Sequence, residues 1–499
     1  MTVPEHAGED VLTSSGAGGR VIRGSAMRVA ANLAGLVLGL FTATLLLRHL
    51  GVDDSGRYVT VLSLVGIAVS IVDTGLNVAA SNDLAVRPLP GRRRLLSNIV
   101  AQRLGVAAVA LLLLVAFAAL AGYPEEMVAG TALAGTGVLL VAIANSFLIP
   151  LTVELRNAGL ALVELLRQVV TLAGVAVLVA LGAHLTPFFA VQVAVGLAVL
   201  ALVPLLVGWS GLVRPRFDRS EQLGLMRTAL PIAAALALGQ IYFRLVIVLM
   251  SLISSAEQTG YFGGSLRAME ALVVLPALVA GVALPLMAAA ARDDLGRLRY
   301  AIEGLSEGAV IAGVLAVVVT LRAAEPVMEA IGGAEFGPSG DVLRIQVVAL
   351  LFIALYQIWT VALVALGAQR QLILTNALGL LAVGIFAAAL VPPLGARGGA
   401  IATVFGDAVL AGLIYWRLHL STGKVTVRPG FLARVALAAM LGGAVLLIPA
   451  LPDLVAAALG GLVFLGAGYL LGMVPPELRD ALGPNGLLRG RDAGAAPPV

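Results

Sequence analysis

The 499-residue chain has no cysteine and one lysine, Lys424. Without cysteine it can form no disulfide, thiolate metal site or thiol nucleophile. Histidine is almost as scarce: His6, His49, His184 and His419 lie far apart, so no H-E-x-x-H pair of metal ligands exists. Charged residues make up 12% and aromatic residues 5%. Soluble domains average about 25% charged residues, and half that charge cannot clothe a soluble protein of this length. The net charge of +4 is not read as the footprint of a nucleic-acid binder, because the arginines behind it mark one side of a membrane.

What is present is apolar. Hydrophobic residues reach 60% and glycine numbers 58. Apolar stretches of about 20 residues, each enough for a hydrocarbon core of ~30 Å, recur at 24–49, 57–84, 97–121, 127–151, 159–183, 187–209 and 223–253. They continue at 258–289, 300–323, 341–367, 371–391, 398–418, 430–450 and 454–474. The expectation is an all-α polytopic membrane protein of about fourteen transmembrane helices. The polar segments 1–22 and 476–499 read as cytoplasmic tails, the first of them disordered; acids in the first argue against a signal peptide. With the N-terminus inside, 25 of the 32 basic residues fall on the cytoplasmic side, and Arg48, Arg57, Arg244, Arg267, Arg322, Arg344 and Arg397 do not. That places the chain in the cell membrane with both termini cytoplasmic.

The longest loops, 210–222 and 419–429, are too short to fold as catalytic domains. The chemistry is therefore expected to be movement rather than bond-making, with no cofactor. The first and seventh spans read alike: each opens on an arginine, Arg28 or Arg227, and ends in a short outer turn, DDSGRY (53–58) or AEQTGY (256–261). Six helices per repeat give both copies one orientation, hence two lobes related by a pseudo-two-fold axis along the membrane normal. The lobes span 23–209 and 223–420, and 421–475 adds two C-terminal helices. Pro231, Pro276 and Pro285 lie within spans seven and eight, where proline kinks a helix. Gly35 with Gly39, and Gly468 with Gly472, have the GxxxG spacing of close helix packing.

An ionisable group at mid-membrane costs roughly 2.5–3.5 kcal/mol on insertion scales, so those present must face protein or a wet cavity. Arg244 and Arg267 each lie nine residues from an outer helix end, about 13 Å down at 1.5 Å per residue. Gln240 shares the Arg244 face at i−4. Two arginines at one depth suit a doubly charged phosphate group, which guanidinium binds through paired hydrogen bonds. Glu270, at i+3 from Arg267, is the competing partner, and Arg244 has the option of snorkelling outward. Arg48 ends the first span, as a further phosphate ligand or an interfacial anchor. Asp73, near the middle of the second, is a cavity acid that titrates with transport or a buried hydrogen-bonding group. Glu164 and Arg167 are expected to cancel one another, while Asn376 and Asp407 read as packing polar groups.

Four stretches carry a family resemblance: LLLRHLGVDDSGRYVTVLSLVGIAVSIVDTGLN (45–77), YFGGSLRAMEALVVLPALVAGVALP (261–285), GGAEFGPSGDVLRI (332–345) and PPLGARGGAIATVFGD (392–407). In this order the chain resembles the polysaccharide flippase branch of the multidrug/oligosaccharidyl-lipid/polysaccharide exporter superfamily. The resemblance implies a V-shaped pair of lobes around a cavity lined by helices 1, 2, 7 and 8. It also implies outward flipping of an undecaprenyl-pyrophosphate-linked oligosaccharide by alternating access, with an ion gradient as the drive. Arg244, Arg267 and Arg48, with Gln240, are then the substrate-binding candidates; Asp73 and Glu270 are the ion-coupling candidates. The implied partners are the lipid-linked glycan, the bilayer and glycan polymerases or glycosyltransferases. One departure is Val246, where many relatives carry an acid. The alternatives are a small-molecule exporter of the same superfamily and a non-transporting scaffold for glycan synthesis.

Overall fold

The computed structural model describes residues 17–86, 89–154, 156–423 and 428–473. They form α1 (Ala17–Val86), α2 (Leu89–Leu120), α3 (Glu125–Val153), α4 (Asn157–Ala180), α5 (Leu185–Val207) and α6 (Arg219–Ile253). α7 (Ala256–Asp293), α8 (Leu295–Gly332), α9 (Gly337–Ala365), α10 (Gln369–Thr422), α11 (Pro429–Leu446) and α12 (Asp453–Leu470) follow, with no strand among the described residues. Eleven helical stretches among these residues are long and apolar enough to cross a membrane. The protein is a multi-pass helical membrane protein.

Two of these helices are broken by glycine. Gly51 in α1 (φ 69°) and Gly395 in α10 (φ 56°) hold backbone conformations closed to most side chains. The sequence divides its spans close to both. Counting each broken helix as two crossings, and the shorter apolar stretch Ala237–Ile253 of α6 as one, is what fourteen spans require.

The boundaries correct several expectations. α1 starts at Ala17, inside the segment read as a polar tail. DDSGRY and AEQTGY are opening helical turns, not connections: the breaks lie at Gly51 and just before Ala256. α12 stops at Leu470, which puts Gly472 (φ 70°) beyond the helix and out of any GxxxG face. The close approach of α11 and α12 is made by Gly442 and Gly460 instead: a Cβ on Gly442 would stand 2.7 Å from the Gly460 carbonyl oxygen. Gly35 of α1 faces the Gln168 side chain of α4, not a partner backbone.

The chain forms two compact units, 1–263 and 264–499, and the division falls inside α7. In the first, α1 packs against α3, α4 and α6, and α3 against α2 and α5. In the second, α8 packs on α9 and α12, α9 on α10, and α11 on α12. α6 thus packs within the first unit.

Lipid is as apolar as leucine, so close contact and internal polar bonds hold such helices together. Arg103 of α2 is the strongest case. It is fully buried, and its Nη1 donates to Ala142 O and Ser146 Oγ of α3, each at 3.1 Å. The sequence reading counted it only as an orientation marker. Truncating it would leave the Ala142 carbonyl and the Ser146 hydroxyl without this donor, at a cost of about 1–3 kcal/mol. Arg103→Ala should therefore lower the thermal unfolding midpoint of the purified protein well beyond what Arg93→Ala, at an exposed position, does.

Candidate substrate-binding site

α6 buries Tyr242, Val246, Ile247 and Met250. These fall at helical spacing, and α6 packs along α1. Near its C-terminal end the Tyr123 hydroxyl, from the α2–α3 turn, shares a 2.6 Å hydrogen bond with Ser251. Burial pushes the Tyr123 phenol up in pKa while the Ser251 bond pulls it down.

Half-buried Arg244 lies across Gly66 of α1. A Cβ on Gly66 would stand 2.7 Å from Arg244 Nε and 2.9 Å from Cζ, so any side chain at position 66 would make the guanidinium shift. One turn on, the Ser70 hydroxyl donates to Gly66 O at 2.8 Å. Beside this contact Val65, Ala68 and Val69 line an apolar cavity closed by Ala107, Leu111 and Leu139. At ≈ 20 Å³ it has room for about one water, and it is a packing gap rather than a substrate pocket.

Three turns closer to the break at Gly51, α1 meets the start of α7 backbone to backbone. A Cβ on Gly56 would overlap Ala256 O and stand 2.8 Å from Gly260 N; one on Gly260 would overlap Val52 O. The two segments that the sequence pairs as repeats thus touch glycine to glycine. The signal was present in the shared Gly–x–Tyr and Gly–Tyr endings, but not its meaning.

Arg267 Nη1 and Glu270 Oε2 form an ion pair at 2.9 Å, both side chains partly buried. Around them Leu266, Ala268 and Met269 are buried, and Ser265 Oγ donates to Gln346 Oε1 of α9 at 2.8 Å. Arg244 belongs to the first unit and Arg267 to the second. Gln240 is exposed one turn before Arg244, and Arg48 is exposed near the Gly51 break. Asp73 sits on α1, but the side chains of 71–79, like those of Arg28, Arg227 and Pro231, lie outside the described residues.

Four further arginines, which the sequence leaves off the cytoplasmic side, are held by carboxylates. Arg57 pairs with Asp54 (3.0 Å), Arg322 with Asp453 (2.8 Å), Arg344 with Glu325 (3.2 Å) and Asp341, and Arg397 with Asp341. In α4, Arg167 donates to Asn145 of α3 at 2.7 Å and keeps Glu164 only at 3.8 Å, so cancellation within the helix is weak.

The sequence pattern of the family described as "Polysaccharide biosynthesis protein" matches residues 21–290. A comparison with curated proteins gives no match. Among solved structures, the lipid II flippase MurJ in an inward closed conformation superposes with a TM-score of 0.73 at 13% identity, covering 89% of this chain and 98% of that one. A multidrug resistance MATE family transporter of the MOP superfamily, inward-facing, gives 0.61 at 15% identity, over 79% and 97%. A MOP superfamily transporter from Pyrococcus furiosus gives 0.51 at 15% identity, over 81% and 94%. At these identities the likeness is one of fold, whereas the sequence match spans more than half of the chain. The chain belongs to the polysaccharide biosynthesis protein family of multi-pass membrane proteins.

Proposed function

We propose that the protein is a flippase that carries a polyprenyl-pyrophosphate-linked oligosaccharide across the cell membrane by alternating access, for surface polysaccharide or envelope glycan synthesis. Its work is transport, not catalysis. In this reading fourteen spans form two six-helix lobes plus two C-terminal helices, both termini are cytoplasmic, and polymerases or glycosyltransferases handle the glycan before and after transfer.

The observation that carries the reading is Arg244, a permanent cation within an apolar helix, lodged where Gly66 makes room for it. Guanidinium offers paired donors to phosphate oxygens, so the charge favours an anionic substrate over the cations that a drug exporter would take. The family match and the fold shared with MurJ point the same way. Arg267 contributes from its pair with Glu270, which a pyrophosphate would have to share or displace. Arg48 and Gln240 are secondary ligands, and Asp73 and Glu270 are the acids available to couple an ion.

The test uses purified protein in sealed vesicles with a fluorescent undecaprenyl-pyrophosphate oligosaccharide, following its access to an external quencher. Transfer should occur with the unaltered chain and collapse in Arg244→Ala/Arg267→Ala. Transfer that survives the double substitution would move the phosphate site elsewhere. No transfer by folded protein with several glycans would favour small-molecule export or a scaffold. Glu270→Gln alone should retain transfer if Glu270 serves only as the partner of Arg267, and should abolish its dependence on an imposed proton or sodium gradient if Glu270 couples the ion.

A further inference from the structure

The stretch joining α5 to α6 is fixed, not slack. Leu212 and Val213 pack into the apolar cores made by α1, α2, α3 and α5. Ser97 of α2 donates its hydroxyl to Arg214 O, and Arg216 N–H donates to Ser97 O at 3.2 Å. Asn98 is fully buried; it accepts from Asp218 N–H at 2.7 Å and donates to Glu221 Oε2 at 2.6 Å. Arg94 pairs with Asp218 and lies 3.9 Å from Glu221. Asp218 of the stretch and Glu221 in the first turn of α6 are thereby committed to α2.

What points outward is of one kind. Trp209 and Phe217 are 79% and 75% exposed, while Leu212 and Val213 between them are half-buried. Arg214, Arg216 and Arg219 are exposed, as is Arg93 on α2. None of these four arginines makes an ion pair with a described residue. The stretch joins the end of α5 to α6 and docks on the first turns of α2; α2 and α5 are both apolar enough to cross a membrane. That puts it at headgroup depth, where aromatic rings settle between water and hydrocarbon and a cluster of arginines attracts anionic lipid.

We propose that 209–219 is a docking surface for anionic phospholipid headgroups, with Trp209 and Phe217 seated in the interface and Arg214, Arg216 and Arg219 on the phosphates. The surface is separate from the Arg244 site and does not depend on what is transported.

The experiment places the full chain in phosphatidylcholine vesicles containing equal mole fractions of either brominated phosphatidylglycerol or brominated phosphatidylcholine, with bromines high on the acyl chains. Trp209 is read as the part of the tryptophan quenching that disappears in W209F, a substitution at an exposed site. Brominated phosphatidylglycerol should quench Trp209 more strongly than brominated phosphatidylcholine by about threefold. In R214Q/R216Q/R219Q the preference should vanish. High salt, which screens surface charge, should erase it in the unsubstituted chain, and that arm stands even if the triple variant misfolds. Equal quenching by the two lipids, no quenching by either, or a preference that survives both the triple change and salt would overturn the proposal.

Discussion

Gly56→Ala should slow vesicle transfer by about tenfold or more, because overpacking a close contact costs about 1–3 kcal/mol and each 1.4 kcal/mol is a factor of ten in population. The reason is steric. The added Cβ would overlap Ala256 O, part of a helix backbone with no rotamer to yield. Gly260→Ala meets Val52 O on the other side of the same approach and should fall by a similar factor. The two together should be little worse than either, since both relieve the clash by separating the same backbones. Gly105→Ala on α2, where a Cβ meets nothing within 4 Å, is the control and should transfer at the unaltered rate. Normal transfer by Gly56→Ala would mean that no step of the cycle needs this approach.

Arg244→Ala should reduce transfer by about 10–100-fold, the loss of a charge-assisted bond of about 1.5–3 kcal/mol. More telling is Gly66→Ala, which touches no substrate. Its Cβ would press on Nε and Cζ of Arg244 and turn the guanidinium off its seat. If that seat is what presents the cation, Gly66→Ala lowers transfer nearly as far, and Gly66→Ala/Arg244→Ala is no worse than Arg244→Ala. Arg244→Lys should not restore the rate, because an ammonium lacks the flat fork of donors that lies against the glycine. Additive losses would instead show that Gly66 and Arg244 act apart.

The helices were legible in the sequence because a bilayer asks one simple thing of a span, apolar length, and composition supplies it. The breaks at Gly51 and Gly395 were nearly so, since glycine stands close to each division between spans. What escaped was whatever depends on an atom that is missing or a partner far along the chain. Gly66 says nothing until Arg244, 178 positions on, is laid over it. Arg103 looked like one more basic residue at a helix end, yet it is sealed against Ala142 and Ser146. Arg267 was read with the right rival: Glu270 is bonded to it. Arg167 was read with the weaker partner, because Asn145, the stronger one, lies on another helix.

The arginine–carboxylate pairs bear on how such a chain is made. Asp54–Arg57, Arg267–Glu270 and Asp341–Arg344 are each three residues apart on one helix. Each can therefore close as soon as its own turn forms, before any neighbouring helix exists. In the orientation proposed above these three are among the guanidinium groups that must pass into or through the bilayer during synthesis, and they would pass as nearly neutral couples. Arg322 gains Asp453 only after that later segment arrives, and Arg397 has to meet Asp341 of an earlier helix. Among the carboxylate-paired arginines, biogenesis would thus meet two kinds, one compensated on emergence and one only at assembly. Asp54→Asn should trouble insertion, whereas Asp453→Asn should trouble the finished protein.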